Sequence, residues 1–177
     1  MTNKQQQIPA IRFNGFADDW EQRKLGEIAK MYQPQTITGS DFLDKGIPVF
    51  GANGYIGFYS ESNHDENQVT ISARGEGTGT PSYVVGPVWI TGNSMVVNVD
   101  GYDIDKYFLY SNLSSKSLKK FVTGGAQPQL TREVLVKVPI IFPDTEEQSK
   151  IGASFNQLDN TIALHQRQLD NHKELKK

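Results

Sequence analysis

Ile151, Phe155, Leu158, Ile162, His165, Leu169 and His172 recur at spacings of 4, 3, 4, 3, 4 and 3, the heptad pattern of a helix with one narrow seam rather than the alternation of a strand. Pro143 stops the run before them, and Asp144 with Glu147 three residues later has the form of a capping box. A long helix is therefore predicted over 144–177. At roughly 1.5 Å per residue it spans about 50 Å, more than so small a domain covers with its own surface. Either this helix folds back on its own domain or it projects as a coiled-coil arm. Gly152 and Ala153 permit close approach, so the first turns are expected to dock, leaving Phe155, Leu158, Ile162, His165, Leu169 and His172 as the helix interface for a partner.

Upstream the period changes. Residues 1–19, with Gln5, Gln6 and Gln7 and no periodicity, read as a flexible N-terminal arm. Trp20 opens an ordered domain over 20–143, in which Leu25, Ile28 and Ala29 suggest a short strand-like entry and 32–46 a polar loop. Ile47 to Phe50 and Tyr55 to Tyr59 flank the turn Gly51, Ala52, Asn53, Gly54 as a hairpin. Further β runs are Val69 to Ala73, Tyr83 to Ile90 broken at Gly86 and Pro87, and Ser94 to Val99. Asp105 to Leu113 and Ser117 to Val122 are helical, with Tyr107, Phe108, Leu109, Leu118 and Phe121 as core candidates. Thr131 opens a helical turn, and Val134 to Phe142 has the β-branched bias of a strand. The class is α+β: a small mixed, mostly antiparallel β domain with short helices, then the long C-terminal helix.

Composition narrows the chemistry. The chain has 177 residues, 37% hydrophobic and 10% aromatic, enough for one domain with an appendage. No cysteine is present, which excludes disulfides and thiolate metal sites. No apolar run approaches a membrane span and the first residues lack a hydrophobic signal core, so a cytoplasmic protein is expected. Net charge is −2, with 13 Lys and Arg against 14 Asp and Glu over 1–143 and 5 against 6 over 144–177. That is not the broad basic field of a nonspecific nucleic-acid binder.

The three histidines, His64, His165 and His172, form no ligand cluster, and no GxSxG or HExxH appears, so no catalytic residue, cofactor or metal is assigned. The glycines of Gly75 to Thr80 have neither the P-loop lysine nor dinucleotide spacing. They suit either an ordinary turn or a close approach to nucleic acid, with Arg74 able to bind guanine or phosphate bidentately. In Thr123 to Leu130, two glycines precede Gln127 and Gln129 around Pro128, a stiff turn whose amides both donate and accept. The residues expected to meet DNA are Asn53 and Tyr55 of the hairpin, Arg74, Glu76, Thr78 and Thr80 of the glycine loop, and Thr123, Gln127 and Gln129. Ser72 and Asn93 are counted with them.

The run TGGAQPQLTREVLVKVPIIFPDTEEQSKIGASFNQLDNTIALHQRQLDNHKELKK resembles the specificity subunit of type I restriction-modification enzymes, where a target recognition domain meets its conserved helix. WEQRKLGEIAK, IPVFGANGYIG and ISARGEGTGTPSY are similar to the same family, so the resemblance covers about residues 16–177. It implies a noncatalytic, sequence-specific module on double-stranded DNA. Its partners would be methyltransferase (modification) subunits, the restriction/translocase subunit through the complex, and a second copy or second half of the specificity subunit. The usual subunit has two recognition domains and two long helices, whereas this chain has one of each, so a natural half-subunit or a truncation is expected. The rival reading is a protein-interaction module that binds only protein through its helix.

Overall fold

The computed structural model describes residues 9–125 and 127–175. Its elements run β1 (Glu21–Lys24), α1 (Leu25–Ile28), β2 (Lys30–Tyr32), β3 (Ile47–Gly51), β4 (Gly54–Tyr59), β5 (Gln68–Ser72), β6 (Pro81–Val84), β7 (Trp89–Ile90) and β8 (Ser94–Asn98). There follow α2 (Lys106–Ser114), α3 (Arg132–Leu135), β9 (Pro139–Phe142) and α4 (Thr145–Glu174). Four strands form one antiparallel sheet in the order β2-β8-β5-β6; β4-β3-β7 form a second, and β1 pairs with β9. One pairing, β3 with β7, is parallel. The α+β class with mostly antiparallel strands and a long final helix is the one expected.

Every residue of β5 is buried because it has a core on each side. On one side Val69 and Ile71 join Met95, Val97, Phe108, Leu109, Leu113, Leu135 and Ile140 in the main cluster. On the other, Val96 joins Phe50, Val84, Val88 and Ile90. This explains why β5 reads as a continuous apolar-to-small run instead of an alternating one.

Two expectations change. Leu25 to Ile28 is a helical turn capped by an extended Ala29, not a strand-like entry, because the amides of Leu25 and Gly26 donate to Val138 and Val136 carbonyls at 2.8 and 3.1 Å. Such a four-residue turn is fixed by tertiary bonds that local propensity cannot supply. Val134 and Leu135 likewise belong to α3, and the strand starts only at Pro139; Leu135 is buried as a helical residue.

Asp144 caps α4 as its sequence suggests, accepting from the Glu147 amide at 2.9 Å. The Glu147 side chain does something else. It is fully buried and accepts two bonds of 2.7 Å from the Arg12 guanidinium, a fork-on-fork pair. Lys150 lies 4.5 Å from the centre of the Phe16 ring. Part of the segment expected as a loose arm is thus strapped across the root of α4, while residues 1–8 lie outside the described residues.

The root of α4 packs on α2. Gly152 is buried there, since a Cβ would meet Asp105 and sit 3.0 Å from the Phe108 amide nitrogen. Ala153, paired with it in the sequence argument, is exposed. One further tie reaches along the helix, from the Tyr107 hydroxyl to Asp159 at 2.8 Å. From Phe155 the helix is exposed to its end: Phe155, Leu158, Ile162 and Leu169 are 47%, 55%, 65% and 49% exposed, and His165 and His172 are exposed too. The 20 residues from Phe155 to Glu174 extend about 30 Å. No helix among the described residues is long and apolar enough to cross a membrane.

Candidate nucleic-acid interface

The three turns singled out in the sequence are far apart along the chain and close together in space. Arg74 and Gln129 face each other as a β-bridge, and Gln129 also bridges Thr123. The Leu130 amide donates to the Ala73 carbonyl at 3.0 Å, so the glycine loop and the 123–129 turn are stitched edge to edge. Between them lies an open groove of about 470 Å³ lined by Arg74, Gly75, Glu76, Gln127, Pro128 and Gln129. The hairpin tip reaches the same loop, because Asn53 lies against Gly77. Asn93 is adjacent, its carbonyl accepting from the Ala73 amide at 3.0 Å.

Local chemistry makes the turns rigid. Gly124 has φ +97° and the Gln127 amide closes a turn onto its carbonyl at 2.8 Å, a conformation that strains any residue with a Cβ. Thr78 is buried, its hydroxyl donating to the Gly75 carbonyl at 2.6 Å. Ser72 is buried as well and donates to the Arg74 carbonyl at 3.3 Å. These two hydroxyls are spent inside the loop and do not face outward with the other candidates. Asn53, Tyr55, Arg74, Glu76, Thr80, Asn93, Thr123, Gln127 and Gln129 are all exposed. They offer a guanidinium, a carboxylate, four amides and hydroxyls, a set able to donate to and accept from base edges.

Sequence reasoning left out Lys119 and Lys120. Both are exposed on the short helical turn Leu118–Phe121, and a Cβ on Gly79 of the glycine loop would lie 3.5 Å from the Leu118 backbone. Two cations therefore flank a face whose chain-wide charge is slightly negative. A Lys-Lys pair three residues after Lys116, in a stretch without acidic residues, was the available signal. Lys116, half-buried close by, has its pKa pushed down by desolvation first and by the Lys120 charge second.

On the opposite edge of the four-stranded sheet, Tyr32 and His64 lie nearly parallel with ring centres 5.9 Å apart. The Tyr32 hydroxyl bonds His64 Nε2 at 2.8 Å and His64 Nδ1 bonds the Asn63 carboxamide oxygen at 2.7 Å. Burial lowers the His64 pKa, against the opposing pull of Asp100 and Asp65.

Residues 17–173 match the model of the type I restriction modification DNA specificity domain. The chain is 29% identical over 151 residues to the specificity subunit of the type I restriction enzyme EcoprrI from Escherichia coli, covering 80% of this chain and 37% of that protein. It is 30% identical over 122 residues to a putative type I specificity subunit of Mycoplasma pneumoniae, covering 65% and 33%. Among solved structures, the S subunit of the type I restriction-modification system of M. genitalium superposes with a TM-score of 0.73 at 20% identity, over 86% of this chain and 42% of that one. The HsdS subunit of Thermoanaerobacter tengcongensis gives 0.55 at 19% identity, over 90% and 41%. The chain thus spans about a third of the length of the curated relatives and about two fifths of the solved ones. With the family model covering nearly all of it, the chain belongs to the type I restriction-modification DNA specificity family.

Proposed function

We propose that the chain reads one half of a bipartite duplex sequence, noncatalytically, through the face that joins the hairpin tip, the glycine loop and the 123–129 turn. The observation that carries this reading is the stitching of Arg74 to Gln129 at the edge of one groove, with Gln127 beside them. Arg74 is the residue suited to guanine, Gln127 and Gln129 to adenine, and Glu76 to the amino group of cytosine. Lys119 and Lys120 suit phosphates, supplying register and orientation without sequence information.

The exposed seam of α4 supports the second half of the proposal. A stripe of Phe155, Leu158, Ile162, His165, Leu169 and His172 on a projecting helix gains by facing another helix. Pairing with a second copy, antiparallel, sets one reading face at each end. The assembly then addresses methyltransferase subunits, and through them a restriction subunit, to the two half-sites. A protein-only role rests on the same seam and predicts no salt-dependent duplex binding.

The test is binding of the chain to duplexes selected from a random pool, compared with Arg74→Ala and Gln127→Ala. Loss of a bidentate base contact costs about 1–3 kcal/mol on the selected sequence alone. Lys119→Ala weakens all sequences alike and lowers the salt slope by about one. Unchanged selective binding in both the Arg74 and Gln127 variants, with folding intact, would place recognition elsewhere.

A further inference from the structure

Beside this reading face, and sharing Asn53, Tyr55 and Thr80 with it, is an aromatic slot. Phe50 and Tyr55 of the β3–β4 hairpin, set edge to face with centres 5.3 Å apart, line it from one side. Tyr83 of β6 and Tyr110 of α2, 6.0 Å apart, line it from the other. The open cavity between them measures about 520 Å³, with Ser82 along β6 and Asn53 at the hairpin tip among its lining residues. The far wall is braced. Tyr107 packs on both Tyr83 and Tyr110, at 4.7 and 5.4 Å, and is itself tied to Asp159 of α4.

The lining restricts the ligand. No charged side chain lines the slot, which disfavours a phosphate or any other ionic group. The four aromatic rings of the lining favour a flat ring, and the carboxamide of Asn53 with the Ser82 hydroxyl can donate to and accept from its polar edge. Asn53 also abuts Gly77 of the glycine loop, so slot and reading face share a rim. A base inside a stacked duplex shows only its edge; one that has left the stack exposes both faces.

We propose that this slot takes a single extrahelical nucleobase from the DNA lying on the reading face. The inference rests on that face being the DNA surface. It adds a mode of recognition, in which the chain binds best where one base is already unpaired or easily unpaired, because the cost of extrusion is then smallest. Stacking on an aromatic ring tolerates any base, so the slot contributes affinity for a distorted step rather than a letter of the sequence.

The test compares a fully paired duplex with the same duplex carrying one unpaired 5-iododeoxyuridine. The full chain should bind the second about tenfold more tightly, and irradiation should crosslink the iodinated base to Tyr55, Tyr83 or Tyr110. Ser82→Phe, which fills the slot while keeping both walls, should return the ratio to about one without weakening the paired duplex. Tyr110→Leu should do the same, and covers the case in which one variant fails to fold. Equal affinity for both duplexes, or crosslinks confined to residues outside the slot, overturns the proposal while leaving the reading face in place. Displacement of the crosslink by excess free deoxynucleoside overturns it in favour of a free nucleotide ligand. Failure to bind either duplex overturns both readings.

Discussion

Replacing Gly152 by Ala is expected to destabilise the protein, although the same change at an exposed position of a helix stabilises it by about 1 kcal/mol. Gly152 lies seven residues into α4, buried against α2. The new Cβ would overlap the Asp105 carboxylate and lie 3.0 Å from the Phe108 amide nitrogen. That carboxylate has nowhere free to go, because Asp105 Oδ1 accepts the Phe108 amide at 2.8 Å and so caps α2. Loss of a cap costs about 1 kcal/mol and overpacking a tight contact about 1–3 kcal/mol. These outweigh the gain in helix propensity, leaving a loss of about 1–3 kcal/mol. For a chain of this size, 2 kcal/mol lowers Tm by roughly 4–8 °C. Urea unfolding should show a lower midpoint at unchanged slope. The decisive comparison is the same substitution in an Asp105→Ala background, where the carboxylate is gone and only the 3.0 Å approach to the Phe108 amide remains, so Gly152→Ala should cost less than it does alone. The two sites are then coupled. A rise in Tm for the single Gly152→Ala variant would refute close docking of α4 on the start of α2.

Further outcomes follow from the same geometry. Ile162→Asp, at the most exposed of the four apolar seam positions, should leave folding unchanged and abolish self-association in sedimentation; a wild-type chain that stays monomeric at every concentration would remove the pairing of helices. For His64, burial holds the folded pKa below the unfolded value of about 6.5. The folded state therefore binds fewer protons, so this contribution to stability is complete above the unfolded value and is lost as pH falls through it toward the folded value. His64→Phe should flatten the urea midpoint over that window, and an unchanged pH dependence would show that His64 is not its source.

What the sequence made legible was mostly local. The Asp144 cap, the hairpin around Asn53, the Asp105 start of α2 and the β5 and β8 runs each depend on residues within a few positions of one another. What it hid depends on distant partners. Glu147 fits a capping box, yet it is taken by Arg12, 135 positions away, and no local pattern distinguishes the two uses of a carboxylate. Leu25 to Ile28 is helical only because 136–138 supplies acceptors for its first amides. The same limit applies to the site. Glycine and amide content singled out turns scattered along the chain, and their convergence in space came from the bridges of Gln129 to Arg74 and Thr123. Burial of Ser72 and Thr78 and the nearness of Lys119 to Gly79 are consequences of that convergence, invisible from residue type.

The most direct test of the central claim is to sequence the methylated sites of cells that carry this chain with the methyltransferase subunit proposed as its partner, beside cells carrying the Arg74→Ala variant. One bipartite motif is expected for the first, and for the second a motif relaxed at a single position of the half-site read by this chain, repeated symmetrically if two copies pair. An identical motif in both, at equal occupancy, would contradict the assignment of sequence reading to this face.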